Sequence, residues 1–229
     1  MIADHTVKSY DQEITHLTRK VLEMGGLVED QISRSIEALV ERNVDLADQV
    51  VERDDMVDAL EEEIDQFAIR MLATRQPVAV DLRLIAMSMK ISNDLERMGD
   101  YAAKGIASRC HRLAKARGDM RPLQAIPRMA QLVQSMLKDA LDAYVQRDAE
   151  KAVLVWRRDD EIDLMYDGLV RELLTYMMED PRNISACIDL MFIAKNLERM
   201  GDHTTNICEQ IRYIVHGERI NRMPAPVVE

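Results

Sequence analysis

Apolar residues recur three and four positions apart over most of the chain, which is the spacing of amphipathic helices. The pattern predicts a first helix over residues 7–42 and a second over residues 43–74, capped by Asn43. Arg75-Gln76-Pro77 interrupts it, and a third helix is expected from Pro77 to about residue 116. Three long helices joined by short turns run up, down and up, so the first half is predicted to be an antiparallel three-helix bundle.

The second half repeats this pattern. A fourth helix is predicted around residues 129–145, a fifth over residues 148–178 and a sixth over residues 184–215, with Asp180-Pro181 as the break between the last two. We therefore expect an all-α protein with an internal pseudo-two-fold repeat. It consists of two tandem antiparallel three-helix bundles, residues 1–117 and 122–217, and a flexible tail, residues 218–229.

One string of five residues occurs twice, as Glu96-Arg97-Met98-Gly99-Asp100 and as Glu198-Arg199-Met200-Gly201-Asp202. Each copy puts two carboxylates four positions apart, on one face of its helix. The preceding helix of each half carries its own acidic pair at the same spacing, Asp54 with Asp58 and Asp159 with Asp163. Gly99 and Gly201 each cost about 1 kcal/mol inside a helix, which indicates close approach by a neighbouring helix or by a ligand.

The positions of the breaks predict where these acidic pairs lie. In an antiparallel hairpin, residues equidistant from the turn are neighbours, because both helices rise by about 1.5 Å per residue. Asp54 and Asp100 are equidistant from Pro77, and so are Asp58 and Glu96. In the second half the same relation about the 180–181 break pairs Asp159 with Asp202 and Asp163 with Glu198. Each half is thus predicted to gather four carboxylates at one height.

Four carboxylates in one place repel one another, and a bound cation relieves this repulsion. Oxygen ligands suit Mg²⁺, Ca²⁺ or Mn²⁺ and also accept iron or zinc, so these eight residues are candidate metal ligands. Asn93, Asp94 and Asn196 are possible additional ligands. Two other interpretations stay open: the acidic pairs are ordinary solvated surface, or Arg97 and Arg199 neutralise them in salt bridges.

Composition narrows the class of protein. The formal net charge of −11 gives no basic field for nucleic acid. The three cysteines form no C-x-x-C pair, and there is no signal peptide or membrane-length apolar run, so a cytoplasmic protein is expected. No nucleophile beside a base and no phosphate-binding glycine loop is present, which argues against an enzyme.

Two three-helix repeats, each with Glu-Arg-Met-Gly-Asp on its third helix and an acidic pair on its second, resemble the PhoU family of phosphate-specific transport system accessory proteins. The resemblance extends from about Tyr10 to Gly217. It implies a cytoplasmic negative regulator of the phosphate-starvation response that links the ATPase of the high-affinity phosphate importer to a sensor histidine kinase. A homodimer is expected as well.

The resemblance also implies metal binding at an E/D-x-x-x-D motif, which falls on Glu96 with Asp100 and on Glu198 with Asp202, next to the acidic pairs of the preceding helices. Two alternatives belong to other classes of protein. One is a di-metal phosphoester hydrolase, in which a metal-bound water would be the nucleophile. The other is a purely structural helical adaptor, which would bind no metal.

Overall fold

The computed structural model describes residues 2–115, 121–218 and 220, and side chains within them from residue 10 onward except at positions 121 and 122. Every regular element in these ranges is helical, as predicted. In chain order the elements are α1 (Ile2–Glu41), α2 (Val44–Glu52), α3 (Asp54–Arg75), α4 (Ala79–Asp100), a π-helical segment (Tyr101–Ile106), a 3₁₀ turn (Ala107–Arg109), α5 (Cys110–Leu113), a 3₁₀ turn (Arg121–Gln124), α6 (Ala125–Gln146), α7 (Ala149–Trp156), α8 (Asp159–Glu179), a 3₁₀ turn (Pro181–Asn183) and α9 (Ile184–His216).

Four helices form the middle of the molecule. α1 packs on α4 and α6, and α9 packs on α4 and α6, while α3 covers α4 and α8 covers α9 from outside. Because α1 corresponds to α6 in the repeat and α4 to α9, each of these inter-half contacts joins an element to its own counterpart. Tyr101 and His203, which are counterparts, also meet, with ring centroids 5.6 Å apart. Such self-complementary contacts are those of a two-fold axis, so the predicted pseudo-two-fold repeat is confirmed.

The apolar stripe of α1 shows why these residues form a long helix. Leu17, Val21, Met24, Val28 and Ile32 are four, three, four and four positions apart, and all are fully buried. They belong to one hydrophobic core that runs through both halves. A Cβ at Gly25 would overlap Leu141 of α6, so the glycine at this position permits the close crossing of α1 and α6.

The second predicted helix of each half is two helices, which corrects the prediction of unbroken helices over 43–74 and 148–178. α2 ends at Glu52 and α3 starts at Asp54; α7 ends at Trp156 and α8 starts at Asp159. The apolar spacing runs through both breaks, and neither contains Gly or Pro, so the pattern alone could not show them. The predicted cap is confirmed: the Asn43 side chain accepts a hydrogen bond of 3.0 Å from the Leu46 N–H.

The third predicted helix also differs from the prediction. It begins at Ala79, two residues after Pro77, and its α-helical part ends at Asp100, where the π-helical segment starts. The predicted sixth helix is confirmed, as α9 stays α-helical throughout. The predicted bundle boundaries remain predictions; residues 116–120 of the inter-half link and 221–229 of the predicted tail lie outside the described residues. No helix among the described residues has the length and apolar content needed to cross a membrane.

Candidate functional site

The first acidic cluster forms where α3 begins beside the end of α4. Asp54 is the first residue of α3 and is only 3% exposed. A Cβ built on Gly99 would lie 3.4 Å from Asp54 Oδ1 and 2.9 Å from Gln31 Oε1. The glycine of the repeated string therefore leaves space for these two polar side chains next to α4, which is the close approach that its mid-helix position predicted.

Two cations of the chain itself contact this cluster. The Lys104 ammonium lies 3.0 Å from Asp54 Oδ2 and pairs with Asp100. Arg97 lies 3.4 Å from Glu96 and 3.8 Å from Asp100, and these are salt bridges of the kind that the salt-bridge interpretation expects of this arginine. Gln31 Nε2 donates a hydrogen bond of 3.3 Å to Asp54 Oδ1. Burial raises the pKa of Asp54, and Lys104 partly opposes that increase.

The second acidic cluster has the same framework with fewer partners. Asp159 is the first residue of α8, and a Cβ on Gly201 would lie 2.7 Å from Asp159 Oδ1. Burial and the neighbouring carboxylates of Asp202, Asp163 and Glu198 raise the pKa of Asp159 to about 7. The three carboxylates that the hairpin register places beside Asp159 are thus among those whose charge acts on it.

A lysine contacts one end of the second cluster. Lys195 donates a hydrogen bond of 2.6 Å to Glu198 Oε1 and lies 5.3 Å from the centroid of the Tyr166 ring. Arg199, the counterpart of Arg97, lies 5.8 Å from the centroid of the Tyr101 ring. Burial is the main cause that raises the pKa of Asp163, and the negative charge of Glu198 raises it further.

The chemistry of these donors suits a hard cation, although the side chains are not assembled around one. Glu198 Oε2 is buried without a hydrogen-bond partner among the described residues, and Glu96 Oε2, also buried, has only the ion pair with Arg97 Nε at 3.4 Å. Burial, followed by the charge of Asp100, raises the pKa of Glu96. A cation would offset both the repulsion and the burial of these oxygens. Within the part of the chain that the structure describes, no three His, Cys, Asp or Glu side chains already converge as a metal site. Metal binding would therefore require the carboxylates to move together.

The three possible additional ligands lie in different places. Asn93 is exposed and donates a hydrogen bond of 3.3 Å to Glu61, near the first cluster. Asp94 instead accepts hydrogen bonds from His203 at 2.8 Å and Asn206 at 3.2 Å, both on α9. Asn196 is buried against Gly105 of the π-helical segment.

Asp94 and Asn196 thus make contacts between the two halves. The reason is helical geometry: each lies two positions before the glutamate of its string, about 200° away around the helix. Sequence reasoning also missed Gln31, Lys104 and Lys195. The two lysines had a visible signal, because Lys104 follows Asp100 by four positions and Lys195 precedes Glu198 by three. Gln31 had no such signal, since it comes from a distant helix.

Comparison with known proteins agrees with this architecture. The family model described as the PhoU domain matches the chain twice, over residues 21–108 and 126–211. The phosphate-specific transport system accessory protein PhoU homolog of Caulobacter vibrioides is 49% identical over 219 residues, which are 96% of this chain and 95% of that protein. The crystal structure of PhoU from Pseudomonas aeruginosa has a TM-score of 0.87 and 41% identity, covering 91% of this chain and 100% of the other. The phosphate transport system regulatory protein PhoU from Streptococcus pneumoniae has a TM-score of 0.85 and 31% identity, covering 93% and 99%.

Proposed function

The chain belongs to the PhoU family, and from this premise we propose that it is a metal-binding adaptor that keeps the phosphate-starvation response repressed. Its relatives carry the names of accessory and regulatory proteins of the phosphate transport system. A role in regulating that system follows from the family. The adaptor role adds two partners, the ATPase of the phosphate importer and a sensor histidine kinase, and places the protein in the cytoplasm as a homodimer.

The observation that supports metal binding is the pair of carboxylate clusters, each built from both helices of one hairpin. Asp54 with Asp58 and Glu96 with Asp100 are the candidate ligands in the first half. Asp159, Asp163, Glu198 and Asp202 are the candidate ligands in the second. A divalent or transition metal such as Mg²⁺, Mn²⁺, iron or zinc would neutralise charge that burial and mutual repulsion now disfavour. An ion bound in a cluster would fasten the two helices of that hairpin, α3 to α4 or α8 to α9, and so stiffen a part of the molecule that lies outside the four-helix middle.

A rigid adaptor of this kind acts without chemistry of its own. Binding to the kinase shifts the equilibrium between the kinase's activities by the difference in affinity for its two states. Phosphate status reaches the adaptor through its contact with the importer ATPase. The metal in this scheme is a structural group, and the carboxylates position helices instead of activating a substrate.

Metal content tests the site. The variant Glu96→Gln, Asp100→Asn, Glu198→Gln, Asp202→Asn keeps the size of each side chain and removes its charge. We expect it to lose the metal that the purified wild-type protein retains, measured by elemental analysis after gel filtration. The matched control is Glu37→Gln, Glu41→Gln, which removes an exposed acidic pair of the same spacing on α1. Equal metal in the fourfold variant and the wild type would disprove the ligand assignment.

Partner capture tests the adaptor role. The tagged chain, expressed in its own host at high and at low phosphate, should retain the importer ATPase and the sensor kinase, with retention of the kinase changing with phosphate. A reporter of the starvation response should be released from repression when the chain is deleted. Capture of neither protein under either condition, together with an unchanged reporter, would contradict the function.

A further inference from the structure

The two acidic clusters differ in the cations that the chain supplies to them. In the first, Lys104 contacts two carboxylates and Arg97 two, with Asp100 shared between them. In the second, the one cation that contacts a carboxylate of the cluster among the described residues is Lys195, which pairs with Glu198. The first cluster therefore faces two built-in cations and the second faces one, although the repeated strings are identical.

The position four residues after the aspartate of each string is the source of this difference. It is Lys104 in the first half and Asn206 in the second. Asn206 donates its hydrogen bond to Asp94 across the interface between the halves, at 3.2 Å. Lys104 instead pairs with Asp54 and Asp100 within its own half. The backbone differs at the same place: Lys104 belongs to the π-helical segment, whereas the equivalent part of α9 is α-helical.

The first aspartates of α3 and α8 show the result of this difference most directly. Asp54 has both the Lys104 ammonium and the Gln31 amide as partners. Asp159 occupies the same place at the start of α8, but the α6 residue that corresponds to Gln31 is Met136, which is fully buried and has no amide to donate a hydrogen bond. No hydrogen bond or ion pair reaches Asp159 from the side chains that the structure describes. The first half thus supplies partners to its buried aspartate from its own side chains, and the second half supplies none to Asp159, which is partly buried.

We propose that Lys104 is a built-in cation that takes the place of a metal ion in the first acidic cluster, so that the second cluster is the one that binds metal. A tethered ammonium between two carboxylates weakens the binding of a divalent ion, since the ion must either approach a like charge at contact distance or displace the ammonium. In the second cluster the negative charge of Asp159, Asp163 and Asp202 is not balanced by an ion pair with a cation among the described residues, so a bound ion would neutralise it. This inference rests on the proposed metal binding, and it adds that one chain has one metal-binding half.

The test exchanges a single residue between the repeats. Lys104→Asn gives the first half the residue found in the second, and Lys104→Gln does the same with a longer amide. Lys104 is 61% exposed, so neither variant empties the core. Titration with Mn²⁺, followed by the electron paramagnetic resonance signal of the free ion, should show one cluster filled in the wild type and two in each variant. The affinity of the first cluster should rise roughly tenfold or more.

Further variants assign each binding event to a cluster. Glu198→Gln, Asp202→Asn should abolish the binding seen in the wild type, whereas Glu96→Gln, Asp100→Asn should leave it unchanged. In the Lys104→Asn background, Glu96→Gln, Asp100→Asn should remove only the binding that Lys104→Asn added. Lys104→Arg, which keeps the positive charge, should behave as wild type.

The outcomes separate the two proposals. If the wild type fills both clusters equally and Lys104→Asn changes nothing, the role of Lys104 is wrong and the metal proposal stands. If the Lys104 variants bind no Mn²⁺ beyond the wild-type amount, the role of Lys104 is likewise wrong. If neither wild type nor variant binds Mn²⁺, both proposals are wrong.

Discussion

Gly201→Ala tests whether the glycine of the repeated string is required by the fold of the cluster. Gly201 lies in the middle of α9, where alanine would ordinarily be favoured by about 1 kcal/mol. Here the added Cβ would lie 2.7 Å from Asp159 Oδ1 and 2.8 Å from Ile162 Cδ1. Both atoms would have to move, and the charges of the other carboxylates of the cluster oppose a shift of Asp159 towards them.

The magnitude follows from two opposing contributions. Forcing extra volume into a packed site costs about 1–3 kcal/mol, and the helix propensity of alanine returns about 1 kcal/mol. The variant should therefore be up to about 2 kcal/mol less stable than the wild type. For a chain of this size a loss of 1 kcal/mol lowers Tm by about 2–4 °C. Urea unfolding of the metal-free protein, followed by circular dichroism, measures the free energy directly.

Gly168→Ala is the matched control. Gly168 also lies within a helix, α8, but nothing approaches within 4 Å of the position its Cβ would take. The control should gain up to about 1 kcal/mol from helix propensity alone. Gly201→Ala should thus be about 1–3 kcal/mol less stable than Gly168→Ala, which is the steric cost alone. Equal stabilisation by both substitutions would refute the steric reasoning.

Three other predictions concern stability. Because the folded pKa of Asp159, about 7, is above the unfolded value of about 4, the folded state binds this proton more tightly, and its stability should fall as pH rises between these values. Asp159→Asn should raise stability above pH 7 and flatten that slope in metal-free urea titrations; an unaltered slope would contradict the assignment. Tyr144→Phe removes the hydroxyl 2.7 Å from Ser88 Oγ, which joins α6 to α4, and should cost about 1 kcal/mol; no change in the urea midpoint would mean that the bond contributes nothing. Met98→Ala empties a fully buried position and should cost about 2–5 kcal/mol, so a loss well below 1 kcal/mol would indicate that α4 repacks freely.

The helical fold and the grouping of carboxylates were predictable because both depend on local periodicity. Helices of one hairpin share the same rise per residue, so distance from the turn fixes which residues are neighbours. That relation holds for Asp159 with Asp202 even though Pro77 and Pro181 are not where the following α-helices begin. A shift of one or two residues in a turn moves a side chain by less than one helical turn, which the reach of a carboxylate tolerates.

The breaks before Asp54 and Asp159 were not predicted, although the sequence has a signal for them. Each helix start carries the string Arg-Asp-Asp, and acidic residues favour the first turn because the helix dipole is positive there. An apolar stripe that continues through the break hides this signal. Contacts such as Asp94 with His203 were unpredictable for another reason, since they depend on how the two halves face each other across the pseudo-two-fold axis.

The pseudo-two-fold scaffold explains how two nearly identical sites can come to differ. The axis passes between Tyr101 and His203, so the residues just after each string lie close to the other half. A side chain at this position can contact the other half, as Asn206 does by donating to Asp94, or it can contact the acidic cluster of its own half, as Lys104 does by pairing with Asp54. The clusters themselves lie farther out, between α3 and α4 and between α8 and α9, where the backbone framework is shared. One substitution near the axis therefore alters the charge of one cluster while the glycines and carboxylates of both stay the same.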